Sequence, residues 1–254
     1  MNKKILVLCL YIFSVIVGGA IIGIARYQYI NSEVLNNKER VSAPIETAKN
    51  PTVSIQPTIT TFIEKSLPAS ADITVPYAAQ APFSNWAVHE ESCEEAALLM
   101  YHEFLVGTTY PANKIPDAMD DTTLRDMKSW QIKNYGSEAD LSMDTLGKFA
   151  ANYYGLKPVV KKDIGEADIK RALATGSPVL VPVMTHSLQN SMYGPYTVYH
   201  ILLIKGYDAA GVITNDAGVG NGVNKHYSWD ILWQAIDAQT AKMNQSRTML
   251  ILSK

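Results

Sequence analysis

Cys93 is the residue around which chemistry could be organised. It follows a loop-like stretch, Pro82–Ser92, and opens a run in which Cys93, Ala96, Ala97, Met100 and Phe104 recur every three to four residues. Ser92–Val106 therefore reads as a helix closed by Gly107. A thiol on a first helical turn meets unshared backbone N–H groups and the positive end of the macrodipole, and both favour a thiolate. The same placement lets the nucleophile's own N–H face an oxyanion. The ordinary alternative is a small buried hydrophobe. Glu90, Glu91, Glu94 and Glu95 flank the thiol and oppose its ionisation, so a base has to offset them. Read as helix chemistry, they are acidic residues at an N-terminus. Read as recognition, they form an acidic rim that would select basic or amine-bearing substrates.

The histidines sort by geometry. His102 lies nine residues along the same helix, about 13 Å by rise alone, and cannot reach the sulfur. His89, four residues before Cys93, stays open as an alternative. His186 and His226 sit in polar stretches and read as solvated surface. His200 differs, because Val198–Lys205 and Gly211–Asn215 are β-rich runs separated by Gly206–Ala210, a hairpin pattern. A loop centred on Asp208 sets His200 directly opposite Asp216, where a carboxylate can hold an imidazole N–H. A one-residue slip would put the pair on opposite faces.

The positioning elements follow from the same patterning. Helices are expected at Thr122–Tyr135, Ser142–Tyr154 (capped by Ser142 and closed by Gly155), Gly165–Ala174 and Trp229–Ala238. Strands are expected at Val179–Val183 and Thr248–Ser253. Helices come first and an antiparallel sheet follows, an α+β layout.

Of 254 residues, 47% are hydrophobic and 18% charged, with a net charge of −2, which fits a globular chain and excludes a basic nucleic-acid footprint. Met1–Lys4 precede Ile5–Ala25, 21 residues without a charge, enough for a helix of about 31 Å that spans a bilayer core. The segment reads as an anchor, with a cleaved signal as the alternative. Lys3 and Lys4 against the lone Arg26 give an N-in topology with the rest exported. The expected organisation is residues 1–4 cytoplasmic, 5–25 transmembrane, 26–72 a flexible linker and 73–254 the folded domain. Only Cys9 and Cys93 are present, so the folded part holds no disulfide, and an unpaired exported thiol needs a reason to be there.

Four blocks now stand in order: Val75-Pro-Tyr-Ala-Ala-Gln80, Ser92-Cys-Glu-Glu-Ala-Ala97, Tyr199-His-Ile-Leu-Leu-Ile-Lys-Gly-Tyr-Asp208 and Ile213-Thr-Asn-Asp-Ala-Gly218. Together they resemble the bacteriocin-processing-type cysteine peptidases, family thirty-nine, in their stand-alone branch. The resemblance spans 73–254. It implies a papain-like fold with a helical lobe and a sheet lobe. It also implies Cys93 as nucleophile, His200 as general base and later acid, Asp216 as orienter and Gln80 as oxyanion donor beside the Cys93 amide. Three departures mark this chain. Ala81–Ser92 is an insertion that would rim the cleft, Glu94-Glu95 replaces the common Gly-Pro, and Ala217 replaces a common proline.

Other signals are weaker. Neither His89 nor His102 completes a two-histidine zinc helix, and Asp216–Gly222 lacks the ligand pattern of a calcium loop, so no metal or cofactor is expected. Tyr193, Tyr196 and Tyr199 could line a groove or pack a hairpin. No nucleotide-binding motif is present. The expected function is a membrane-tethered, extracytoplasmic cysteine peptidase acting on a peptide or protein. The alternatives are an idle domain of the same fold that binds a partner, a peptidoglycan peptide hydrolase, or an acyl transferase.

Overall fold

The computed structural model describes residues 66–254. The expected anchor at 5–25 and nearly all of the linker lie outside the described residues. The chain divides into two units, Met1–Phe62 and Ile63–Lys254, and everything below concerns the second. Among the described residues no helix is long and apolar enough to cross a membrane.

The helices are α1 (Trp86–His89), α2 (Cys93–Val106), α3 (Asp117–Tyr135), α4 (Met143–Tyr154), α5 (Glu166–Ala174) and α6 (Trp229–Met243). The strands are β1 (Ala71–Asp72), β2 (Lys157–Lys162), β3 (Val179–Met184), β4 (Tyr199–Tyr207), β5 (Val212–Asn215), β6 (Lys225–Tyr227) and β7 (Thr248–Ser253). They form one antiparallel sheet in the order β2-β7-β3-β4-β5-β6, with β1 also on β4. Tyr199, Ile201 and Leu203 of β4 pack one face into a core with α2, α3 and α4. Leu202 and Ile204 pack the other face onto α5 and α6. The α+β class is as expected, but helices cover both faces rather than forming one separate lobe.

α2 is the central helix. Cys93 through Tyr101 are all buried: Ala96–Met100 are apolar on every side of the helix, and Glu94 and Glu95 are buried with them. Tyr101 ties it to the sheet, donating to the Pro178 carbonyl (2.7 Å) and accepting from the Leu252 N–H (3.1 Å). The helix ends at Gly107 with φ of 83°, a left-handed cap that glycine adopts without a Cβ penalty. Ser142 caps α4 through its hydroxyl, as its position predicts.

Some boundaries differ from expectation. α3 starts at Asp117, five residues early, because Asp120 turns inward to accept the Ala79 N–H (2.8 Å) instead of lying in solvent. α6 runs on to Met243, where Asn244 caps it. Two edge strands carry no apolar alternation: β2 is mostly exposed and lysine-rich, a composition that also protects an edge, and β6 has only three residues.

The hairpin register is also different. Ile213 faces Gly206 and Val212 faces Tyr207, whereas Asn215 faces Leu203 and Thr214 faces Ile204, so a bulge lies at Lys205. His200 and Asp216 are diagonal neighbours rather than directly opposed. Continued past Lys205, the turn-proximal pairing would place them on opposite faces; the bulge restores the shared face.

Candidate active site

His200 lies at the start of β4, opposite Val183 of β3. Its Nε2 lies 3.0 Å from Oδ1 of Asp216, just beyond β5. Both are buried, with Asp216 fully inaccessible. The Asp216 carboxylate also accepts from Tyr193 Oη (2.5 Å), Tyr227 Oη (2.6 Å) and the Gly218 N–H (3.2 Å). Burial pushes this carboxyl up, but the His200 ring and the two tyrosine hydroxyls outweigh it and hold the group below the ordinary range. Because Nε2 faces Asp216, Nδ1 is the nitrogen left for another partner.

The approach is close enough to require a glycine. A Cβ on Gly218 would lie 2.8 Å from His200 Cε1 and 2.9 Å from Tyr193 Oη. The Val75–Gln80 block explains itself here too. Tyr77 Oη donates to the Val219 carbonyl (3.2 Å), Asn215 donates to the Val75 carbonyl (3.0 Å), and the Gln80 N–H bonds the Ala217 carbonyl (2.9 Å). The block is thereby sewn to the Asp216 loop.

Cys93 opens α2, as predicted, and is 4% exposed. Its thiol donates to Glu94 Oε2 (2.9 Å), and the Ile201 N–H reaches the sulfur. Burial pushes the thiol well up, and the Glu94 charge and hydrogen bond push it further against the Ile201 N–H. Burial and the Glu94 carboxylate thus work against the thiolate that the helix start favours. A helix terminus contributes up to about 2 kcal/mol, whereas full burial can shift a group by about 3–5 pKa units at about 1.4 kcal/mol each.

Cys93, His200, Gln80, Tyr193 and Gly218 line one cavity of about 670 Å³. Trp86, Ala87, Glu90 and Glu91 border it from the 81–92 segment, Met192, Tyr196, Val198 and Tyr199 are among those on the β4 side, and Asp140 and Lys242 also line it. The tyrosine cluster thus faces the groove, and the acidic flank divides. Glu90 and Glu91 stand on the rim, while Glu94 and Glu95 are buried. Burial, followed by Asp140 and neighbouring glutamates, raises the Glu91 carboxyl.

Gln80 lines the cavity, but its amide nitrogen donates to the carbonyls of His89 (3.0 Å) and Glu90 (2.8 Å), so both hydrogens are engaged. His89, the open alternative for a base, does not border the cavity. It is fully buried between Asp121 (2.9 Å) and Ser92 (3.2 Å). Asn85 bonds Asp121 (2.6 Å) and Lys128 bonds the Val88 carbonyl (2.7 Å), so α3 pins the 81–92 segment at three points. His102 stacks on Tyr154, and His226 lies 3.8 Å from Asp208, both away from the cavity. Among the described residues no group of histidine, cysteine and carboxylate side chains could hold a metal. Sequence reading missed Tyr193 and Tyr227 as holders of Asp216. An aromatic cluster marked the first; nothing marked the second, on a three-residue strand.

A buried cysteine at a helix start, lining one cavity with a sheet-borne histidine that a buried aspartate holds from behind, is the arrangement of the papain-like cysteine peptidase class of folds. Residues 72–241 match the profile of the Peptidase_C39 like family, and the chain belongs to that family. A crystal structure of a candidate C39-like peptidase from Bacillus anthracis superposes with a TM-score of 0.50 at 13% identity, covering 73% of this chain and 98% of that one. No curated protein matches the sequence.

Proposed function

We propose that this chain is a cysteine peptidase that hydrolyses peptide bonds in a peptide or protein substrate, tethered to the membrane by residues 5–25 with its catalytic domain outside the cytoplasm. The observation that carries the reading is that His200, held from behind by Asp216, lines the same cavity as Cys93 with its second imidazole nitrogen unspent. The tether rests on the uncharged Ile5–Ala25 run alone.

In this mechanism His200 Nδ1 takes the thiol proton and the sulfur attacks the substrate carbonyl carbon. The oxyanion meets the Cys93 N–H at the start of α2 and one Gln80 amide hydrogen, released from the 89–90 carbonyls. His200 returns the proton to the departing amine; water, deprotonated by His200, then cleaves the thioester. Asp216, fixed by Tyr193 and Tyr227, holds the ring tautomer and supports the imidazolium.

A second reading, an idle domain that binds a peptide, is favoured by two observations: the thiol is buried and bonded to Glu94, and both Gln80 donors are occupied. Iodoacetamide labelling of Cys93, with and without His200→Ala, separates the two. The peptidase reading expects labelling at neutral pH that collapses in the variant. Equal labelling in both proteins, with no hydrolysis of a peptide library, would establish the idle domain.

A further inference from the structure

We propose that Glu94 holds the Cys93 thiol in a resting orientation turned away from His200, and that the thiol must leave this carboxylate before attack. The inference rests on the reading of Cys93 as the nucleophile. The sulfur's two hydrogen-bond partners are Glu94 Oε2 (2.9 Å) and the Ile201 N–H, and no hydrogen bond joins it to His200.

The carboxylate itself is not free to swing. Its other oxygen, Oε1, accepts the Leu141 N–H (2.8 Å), and the Leu141 carbonyl accepts the Tyr199 hydroxyl (2.6 Å). Leu141 therefore ties Glu94 of α2 to β4, and Glu94 is only 2% exposed. With the acceptor fixed at both ends, the element that moves is the thiol, by a change of Cys93 rotamer. In the new rotamer the S–H bond breaks, the proton passes to His200 Nδ1, and the electron pair stays on sulfur. Glu94 takes no part in the proton balance.

Cys93 and Glu95 of the same helix, Asp140 ahead of α4 and the Tyr199 hydroxyl of β4 face Glu94, and Lys128 of α3 faces Glu95. Burial, only partly offset by the Cys93 and Leu141 hydrogen bonds, raises the Glu94 carboxyl to about 7. The hold is therefore ionic above neutrality and relaxes below it.

The test uses the full chain in detergent and four proteins: wild type, Glu94→Gln, His200→Ala and the double variant. Iodoacetamide labelling of the Cys93 peptide is followed by mass across about pH 5–10, a window spanning carboxyl and thiol titration. Glutamine keeps an acceptor for the Leu141 N–H, so the fold is retained. Glu94→Gln is expected to lower the labelling midpoint by about one pH unit, or about tenfold faster labelling at neutral pH. An unchanged or raised midpoint in a folded variant would overturn the proposal. If Glu94→Gln accelerates labelling while His200→Ala has no effect, Glu94 restrains the thiol but the peptidase reading fails. Labelling that depends on His200 and ignores Glu94 would overturn the resting hold and leave the peptidase reading standing.

The wild type supplies a readout that needs no folded Glu94 variant. The infrared S–H band of Cys93, isolated by difference against Cys93→Ala, is expected to shift as pH crosses about 7. A band at the position of an unbonded thiol at every pH would mean that the thiol does not rest on this carboxylate, and would equally overturn the proposal.

Discussion

Replacing Asp216 tests whether it is the hub of the site or merely one partner of His200. Four donors converge on this inaccessible carboxylate: the His200 ring, two tyrosine hydroxyls and the Gly218 N–H. In Asp216→Ala, Tyr193 can turn towards the cavity and solvent, whereas His200 and Tyr227 are left with buried, unmatched polar groups. A buried donor without an acceptor costs about 1–3 kcal/mol, so two of them, with the cavity left behind, amount to about 4 kcal/mol. For a domain of this size that lowers Tm by about 8–16 °C. Asp216→Asn keeps one carbonyl for His200, and the tyrosine hydroxyls can rotate to accept its amide, so a loss of about 1–2 kcal/mol is expected. Urea unfolding of both variants with peptide hydrolysis alongside is the assay. Activity should fall less in Asp216→Asn than in Asp216→Ala, and less in either than in Cys93→Ala. A Cys93→Ala protein with wild-type stability and no activity completes the set. The reasoning is refuted if Asp216→Ala unfolds within about 1 kcal/mol of wild type, because the four bonds would then carry no net weight.

Gly218→Ala places a methyl group against His200 and Tyr193 and is expected to lower kcat about hundredfold with little change in Tm; a wild-type kcat would contradict the close approach. Asp120 gives a pH dependence of the opposite sign to the usual carboxylate. Burial, aided by Asp117 and Asp121 and only partly offset by the Ala79 N–H and Lys114, raises it to about 7, so the folded state binds a proton that the unfolded state has already released. Its contribution is therefore complete near pH 4 and lost as pH rises to about 7, with a loss of about 2–4 kcal/mol. Glu94 adds in the same window. Denaturant midpoints should fall from acid to neutral pH in wild type and less steeply in Asp120→Asn; parallel curves would show that Asp120 does not titrate there.

The chemistry-bearing residues were legible because each sits in a locally marked place. Cys93 follows a loop and begins a helix, and His200 and Asp216 flank a turn whose Asp208 and Gly211 read as turn residues. The register was less legible. Turn length predicts a pairing, but the bulge at Lys205 comes from how β4 meets β1, β3 and β5 together, and no local pattern encodes it. β2 and β6 went unseen for a related reason: they are held by neighbours rather than by their own alternation.

By itself, then, the sequence determined the class of fold, the order of the functional blocks and the identity of the residues that could react. Periodicity, caps and turns are local properties, and local properties survive in one dimension. Tertiary structure alone decided the state of those residues. It buried the thiol against Glu94, engaged both hydrogens of Gln80, seated two tyrosines on Asp216 and locked His89 onto α3. Each of these depends on solvent exclusion and on partners brought together by folding. Burial changes which charge state is favoured by several kcal/mol, and it exists only once the chain has folded.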